Sequence, residues 1–146
     1  DLLGPHPRFR LHQANWPLVT APEQEPPIML LTSSDTAPDR EGRITHTLIA
    51  PGSLLQGGRI DRSVLSPEVW IEPEADVQES ILLDGVHIGR GAQVRRAILD
   101  RGTVIPPGAR IGYDPTLESE EFTVSEKGIT VVGSTPAIQA IHQYTA

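Results

Sequence analysis

The sequence from residue 60 to residue 110 decides the fold, because it divides into three copies of one 17-residue unit. The copies read IDRSVLSPEVWIEPEAD (60–76), VQESILLDGVHIGRGAQ (77–93) and VRRAILDRGTVIPPGAR (94–110), and a shorter copy, ITHTLIAPGSLLQGGR (44–59), precedes them. An aliphatic residue recurs every five or six positions, a period that neither a helix nor an alternating strand has. The series is Ile44, Ile49, Leu55, Ile60, Leu65, Ile71, Val77, Leu82, Ile88, Val94, Leu99, Ile105 and Ile111.

One inward aliphatic residue per five or six positions suits a short strand that ends at a corner, and three such strands form one coil of a parallel β-helix. We therefore predict an all-β fold: a short left-handed parallel β-helix of the hexapeptide-repeat type, with about four coils. The alternative, an antiparallel sandwich of short strands, gives no reason for a 17-residue period. The predicted ladders are Ile60, Val77, Val94 and Ile111; Leu65, Leu82 and Leu99; and Ile71, Ile88 and Ile105, with small corner residues at Ala75, Ala92 and Ala109.

Composition restricts the possible functions. The 19 acidic and 12 basic residues give a formal charge of −7, which disfavours non-specific binding to nucleic acid. There is no cysteine, so the chain has neither disulfides nor a cysteine metal site. No apolar run has the length of a membrane span and no leader opens the chain, so we expect a cytoplasmic protein without a membrane partner. Because the chain starts with Asp1 rather than Met, we also expect a piece of a longer protein.

The segments that flank the repeat have no such period. Residues 1–43 contain seven prolines, which exclude a long helix and predict an extended arm along an apolar surface, either the β core or a partner domain absent from this chain. Within this arm, the apolar run IMLL (28–31) is expected to form a strand. Residues 44–133 are predicted to be the β-helix domain, closed by a β-hairpin with the sequence FTV–SEKG–ITVV. Residues 134–146 form a tail, in which Thr135 and Pro136 are expected to start a short helix.

The side chains of the repeat do not have the arrangement of a self-contained active site. His87 stands one residue before an inward position, so it should point outward, where it could act as the base of an acyltransferase. An exposed histidine without a catalytic role is the simpler explanation. One coil away stand Trp70 and Val104, so no second histidine completes a metal site. We expect no catalytic residue and no metal ligand in this chain.

The last two coils contain five arginines within a stretch of 21 residues. Guanidinium groups on one surface suit phosphate or carboxylate ligands. The simpler explanation is a solvated outer face that balances the acidic residues of the preceding coils. These arginines are Arg90, Arg95, Arg96, Arg101 and Arg110.

The stretch VLSPEVWIEPEADVQESILLDGVHIGRGAQVRRAILDRGTVIPPGARIG resembles the C-terminal β-helix of bacterial ADP-glucose pyrophosphorylases (glucose-1-phosphate adenylyltransferases). The resemblance continues upstream in HPRF…NWPLVTAPEQEPP and downstream in ESEEFTVSEKGITVVG, and it covers most of residues 1–133. It implies a parent enzyme that makes ADP-glucose and pyrophosphate from ATP and glucose 1-phosphate with Mg²⁺, for glycogen synthesis. It places the chemistry and the Mg²⁺ in an N-terminal catalytic domain that this chain lacks, and it implies that the arm of residues 1–43 is the linker from that domain.

The resemblance also implies what this part of the parent enzyme does. In that family the β-helix packs on the catalytic domain, builds the homotetramer and helps to bind allosteric effectors, which are sugar phosphates and nucleotides. The effector-contacting arginine of the ILDR step falls on Arg101, and Arg95 and Arg96 are further candidates for phosphate contacts. The sequence departs from the family after its closing strand, because GSTPAIQAIHQYTA has none of the family's basic residues there.

Two other functions remain open at this point. A stand-alone hexapeptide-repeat acyltransferase would work as a trimer, with His87 as its base. The β-helix of another sugar nucleotidyltransferase, specific for GTP, UTP or dTTP, would have the same coils and a different catalytic domain. The hexad pattern alone is common to all three classes, so it does not separate them.

Overall fold

The computed structural model describes residues 26–31 and 42–133, which form sixteen short β-strands and one short helix. The arm before residue 26 and the tail with its expected helix at Thr135 lie outside the described residues. The strands are β1 (Met29–Leu30), β2 (Arg43–Thr45), β3 (Leu48–Ile49), β4 (Leu54–Leu55), β5 (Arg59–Asp61), β6 (Val64–Leu65), β7 (Trp70–Ile71), β8 (Asp76–Gln78), β9 (Ile81–Leu82), β10 (His87–Ile88), β11 (Gln93–Arg95), β12 (Ala97–Leu99), β13 (Val104–Ile105), β14 (Arg110–Ile111), β15 (Thr123–Val124) and β16 (Thr130–Val132); the helix is α1 (Pro115–Glu118).

These strands form three sheets, which the chain visits in rotation. Sheet A contains β1, β4, β7, β10 and β13; sheet B contains β2, β5, β8, β11 and β14; sheet C contains β3, β6, β9, β12 and β16, with β15 at its edge. Strands of successive coils pair in parallel, and only β15 runs antiparallel to its partner among the described strands. The predicted parallel β-helix of about four turns is therefore confirmed, and the alternative antiparallel sandwich is wrong.

The core of the β-helix consists of one inward residue from each strand. The register aligns Ile60 with Val77, Leu65 with Leu82, and Ile88 with both Ile71 and Ile105, as predicted. These side chains are fully buried, and each contributes about 1.5–3 kcal/mol through removal from water. The ladders also include Ile44, Ile49, Leu55 and Val132. The corner alanines Ala75, Ala92 and Ala109 are buried, as expected.

The corner between sheets B and C repeats a backbone conformation as well as a side-chain pattern. One non-glycine residue in each of four coils has a φ of 48° or 49°, which costs an L-residue roughly 1–2 kcal/mol. Hydrogen bonds beside this corner offset part of that cost. The buried Ser80 Oγ donates to the Gln78 carbonyl at 2.7 Å and accepts from the Ala97 N–H at 3.2 Å. The left-handed residues are His46, Arg62, Glu79 and Arg96.

Strand β1 belongs to the β-helix although it precedes the first sequence repeat. The expected strand in IMLL is confirmed, and its residues Met29 and Leu30 pair in parallel with β4, at the outer edge of sheet A. Strand β1 lies in sheet A, and the next described strand, β2, lies in sheet B. Leu30 and Ile44 remain exposed at this end of the β-helix. The division of the chain at residues 43 and 133 stays a prediction.

The other end of the β-helix is closed by the predicted hairpin and by a short helix that was not predicted. Strands β15 and β16 pair antiparallel around the turn 125–128, and β16 continues sheet C beside β12. The carboxylate of Glu118, in α1, is buried. It accepts hydrogen bonds from the backbone N–H groups of Gly112, Tyr113 and Asp114 and from the Thr130 hydroxyl. The acidic stretch after the repeat thus holds this end together.

Candidate functional site

The outer face of sheet C carries an unbroken row of aliphatic side chains. In each strand the residue next to the inward position points outward, and the register places these residues beside one another. At strand spacing the row is about 19 Å long. Ile81 and Val131 are 40% and 36% exposed, and the other three are half-buried. We call this set the sheet C row: Leu48, Val64, Ile81, Ile98 and Val131.

The outer face of sheet B has the opposite character. Its outward positions form two parallel rows, and every side chain in them is polar or charged. Thr45 Oγ1 donates a hydrogen bond to Asp61 Oδ1 at 2.7 Å. This hydrogen bond is the largest of several effects that together lower the pKa of the Asp61 carboxyl below its ordinary value. The first row is Arg43, Arg59, Asp76, Gln93 and Arg110, and the second is Thr45, Asp61, Gln78 and Arg95.

Sheet A presents a mixed row that contains His87. The His87 side chain points outward, as predicted, and its ring stacks on Trp70 with centroids 4.4 Å apart. His87 Nε2 lies 2.9 Å from Glu72 Oε1, and the second oxygen of Glu72 accepts the Arg90 N–H. These contacts fix the orientation of the imidazole. The acyltransferase role considered for His87 stays a prediction.

The structure places the three predicted phosphate contacts at different positions round the coil. Arg101 lies at the corner between sheets C and A, where its guanidinium is 2.9 Å from Asp84 Oδ2. Arg96 lies at the corner between sheets B and C, and its guanidinium donates to the Lys127 carbonyl. Arg95 projects from sheet B. The three residues therefore do not form one cluster, and their role in effector binding stays a prediction.

Tyr113 is a neighbour of the arginines on sheet B that the sequence did not single out. It follows directly after the last repeat, and the Arg110 guanidinium lies 4.4 Å from the centre of its ring. Burial raises the pKa of the Tyr113 phenol, and the negative charge of Asp76 adds to this shift. The phenol is therefore neutral at physiological pH and can donate a hydrogen bond. The one signal in the sequence that could have indicated Tyr113 is its position two residues after the inward Ile111.

The sheet C row was also missed, although the sequence contains its signal. Val64-Leu65, Ile81-Leu82 and Ile98-Leu99 are aliphatic pairs at 17-residue spacing, whereas the sheet B strands have a single aliphatic residue between polar ones. The second residue of each pair fills the core. The first faces outward, and nothing in the core requires it to be aliphatic.

A cluster of metal-binding side chains and a membrane-spanning helix are both absent from the part of the chain that the structure describes. Residues 26–31 and 42–133 contain no group of three or more histidine or acidic side chains that could hold a metal ion. No helix in the same residues is long and apolar enough to cross a membrane.

Short parallel strands in three sheets, one inward aliphatic residue per strand and glycine-containing corners define a hexapeptide-repeat β-helix domain. Comparison with known families agrees with this class. The chain belongs to the GlmU-like C-terminal hexapeptide family, whose sequence profile matches residues 27–132.

Among curated proteins the chain is similar to bacterial glucose-1-phosphate adenylyltransferases. It is 40% identical to that of Parafrankia sp. (strain EAN1pec) over 91% of the chain and 32% of the relative. It is 38% identical to that of Frankia casuarinae over 91% of the chain and 32% of the relative. It is 32% identical to that of Nitrosospira multiformis over 97% of the chain and 33% of the relative.

The chain thus spans about a third of the length of these relatives and matches their C-terminal part. This confirms the family resemblance seen in the sequence. A match limited to this part does not carry the activity of the whole relative over to this chain.

Proposed function

We propose that this chain is the docking and regulatory domain of a glucose-1-phosphate adenylyltransferase that works in the cytoplasm in glycogen synthesis. The parent enzyme would join ATP and glucose 1-phosphate to give ADP-glucose and pyrophosphate. Support comes from the similarity to glucose-1-phosphate adenylyltransferases and from the match to their C-terminal part. The reaction and its Mg²⁺ are assigned to the upstream catalytic domain.

The observation that carries the docking part of the proposal is the sheet C row. Five outward aliphatic residues in register form an apolar ridge on a chain with a formal charge of −7. Contiguous apolar surface that the core does not use is typical of a protein interface. We assign the sheet C row to the contact with the catalytic domain of the same polypeptide.

Effector binding is the second part of the proposal. Arg101, Arg96 and Arg95 are the proposed contacts for phosphorylated effectors, by analogy with the family. The Arg101 side chain is 75% exposed, so a ligand can reach it, but it must compete with Asp84 for the guanidinium. Regulation further requires that the effector bind two arrangements of the domain junction with different affinity. The oligomer that we propose for the parent enzyme is a homotetramer.

The test uses the full-length parent protein. ADP-glucose synthesis from ATP and glucose 1-phosphate should be detectable, and replacement of ATP by GTP, UTP or dTTP should abolish it. Preference for another nucleotide would instead support the alternative of a different sugar nucleotidyltransferase. Acyl transfer that is lost in His87→Ala, without any nucleotidyl transfer, would support the acyltransferase.

The docking assignment is tested by Ile81→Lys in the same full-length protein. The charge should weaken the contact between the two domains, which limited proteolysis would detect as faster release of the β-helix domain. Gln93→Lys, on sheet B, is the matched control and should leave the rate of release unchanged. Equal release rates in both variants would contradict the assignment of the sheet C row.

A further inference from the structure

The outer face of sheet B has an unbalanced positive charge. Within the described residues it carries four arginines and two aspartates, on a chain that is acidic as a whole. Both aspartates already accept hydrogen bonds from neighbours on this face: Asp61 from Thr45, and Asp76 from Gln78 Nε2 at 2.9 Å. The arginines of this face are Arg43, Arg59, Arg95 and Arg110.

Three of the arginines on the corners of the β-helix have acidic partners. The guanidinium of Arg62 lies 2.8 Å from Glu79, that of Arg101 lies 2.9 Å from Asp84, and that of Arg90 lies 3.6 Å from Glu74. By contrast, no carboxylate of residues 26–31 or 42–133 lies within 4.0 Å of the guanidinium of Arg95 or Arg110. An anion can therefore bind these two groups without displacing a carboxylate of the described chain.

Strand register places Arg95 and Arg110 close together. Gln93 lies opposite Arg110 in the pairing of β11 with β14, so Arg95 is two residues further along the neighbouring strand. A strand spacing of about 4.8 Å and a rise of about 3.3 Å per residue put their Cα atoms roughly 8 Å apart. The Tyr113 ring beneath the Arg110 guanidinium limits its freedom to move. Two long side chains at this separation can converge on one anion.

We propose that Arg95 and Arg110 bind the phosphate group of a phosphorylated small molecule. A phosphate dianion offers three acceptor oxygens, enough for a two-point contact with one guanidinium and a further contact with the second. A single carboxylate has two oxygens and one negative charge, so it makes fewer and weaker contacts with two guanidinium groups than a phosphate dianion does. Tyr113 stays neutral and can add a hydrogen bond to the ligand. This inference deepens the effector part of the proposed function and rests on it for its biological role: Arg110 joins Arg95 as a phosphate contact on sheet B.

Calorimetric titration of the 146-residue chain and of the full-length parent with glycerol phosphate tests the pair. Arg95→Gln and Arg110→Gln should each raise the Kd about tenfold, the scale of one lost charged hydrogen bond. Arg62→Gln, on a corner where the guanidinium pairs with Glu79, is the matched control and should change the Kd less than twofold. Acetate at the same concentration should not compete with glycerol phosphate. Equal urea midpoints would show that each variant is folded.

Three results would overturn the inference: absence of binding to the unmodified proteins, the same Kd in all variants, or a loss in Arg62→Gln as large as in Arg95→Gln and Arg110→Gln. ADP-glucose synthesis is measured in the same full-length proteins, because it tests the proposed function separately from phosphate binding by Arg95 and Arg110. Synthesis without phosphate binding at Arg95 and Arg110 would refute the pair alone. Phosphate binding that depends on the pair, without ADP-glucose synthesis, would refute the proposed function alone.

Discussion

Sheets B and C have equivalent inner surfaces and opposite outer surfaces. Inside, each contributes one buried aliphatic residue per strand, such as Val77 and Leu82. Outside, sheet C presents the aliphatic sheet C row, whereas sheet B presents arginines, aspartates and glutamines. Packing of the core explains the inner ladders fully and the outer rows not at all. We propose that the outer difference reflects different external partners: an apolar surface for sheet C and an anion for sheet B.

The strongest test of the comparison separates the inner from the outer residue of one strand. Leu82→Ala removes a fully buried side chain from the 146-residue chain and should lower the free energy of unfolding by about 2–5 kcal/mol. Ile81→Ala, one residue away and 40% exposed, should cost about 1 kcal/mol or less. Urea denaturation measures both. Equal losses would mean that the sheet C row stabilises the β-helix itself, which would remove the reason to assign it to a partner.

A second substitution tests how closely the chain packs where it leaves sheet B. Gly112 has a φ of 84°, and a Cβ atom there would lie 1.5 Å from the Arg95 carbonyl oxygen. Gly112→Ala should therefore cost about 2–4 kcal/mol, from the left-handed conformation and the clash together. Gly85→Ala, at a φ of 67° with open space around it, should cost only the conformational part, about 1 kcal/mol. Thermal unfolding of the two variants would show the difference, and similar melting temperatures would contradict the close approach at Gly112.

The charged corner beside sheet B should contribute little to stability. Arg62 pairs with Asp61 at 3.1 Å and with Glu79 at 2.8 Å, but its side chain is 55% exposed. We expect Arg62→Gln to lower the free energy of unfolding by about 0–1 kcal/mol, with a smaller effect at high salt. Urea titrations at low and at high salt measure it. A loss as large as that of Leu82→Ala would show that charges on this side support the fold as strongly as the core.

The smallest expected effect is a pH dependence at Asp61. Its pKa is lowered in the folded state, mainly by the hydrogen bond from Thr45. A lowered folded pKa stabilises the protein above the unfolded value of 3.8, and that contribution is lost as the pH falls through the folded pKa. Thr45→Val should thus be slightly less stable than the unmodified chain at pH 7 and equally stable at about pH 2. Urea midpoints at the two pH values measure this, and an identical difference at both would exclude the Asp61 contact as its cause.

The sequence was sufficient to predict the inner half of this molecule. Leu65, Leu82 and Leu99 are spaced by one coil because each must fill the same position in the core, and packing leaves a regular signal. The hairpin could also be predicted, because its turn ends in Gly128, which has a φ of 68°. Strand β1 was expected as a strand, but its place in sheet A beside β4 could not be predicted, because residues 29–30 precede the first copy of the repeat.

The outer surface could not be predicted in the same detail. The direction in which an outer side chain projects depends on the exact residue at which each strand ends and the corner begins. Arg95 and Arg96 are adjacent in the sequence, yet one projects from sheet B and the other lies in the left-handed corner that follows. Five arginines in 21 residues therefore suggested one surface, while the structure places two of them on the face of sheet B and the other three on three different corners. Glu118 was hidden for a similar reason, since its four donors come from two separate segments, residues 112–114 and Thr130.

The central claim is that the sheet C row is covered by the remainder of the parent enzyme while sheet B remains accessible. Because this chain has no cysteine, a single cysteine can report on each face. Ile81→Cys and Gln93→Cys would be labelled with a thiol reagent in the 146-residue chain and in a full-length parent free of other cysteines. We predict that Ile81→Cys reacts rapidly in the 146-residue chain and at least tenfold more slowly in the parent, whereas Gln93→Cys reacts at the same rate in both. Equal rates for Ile81→Cys in the two proteins would contradict the claim.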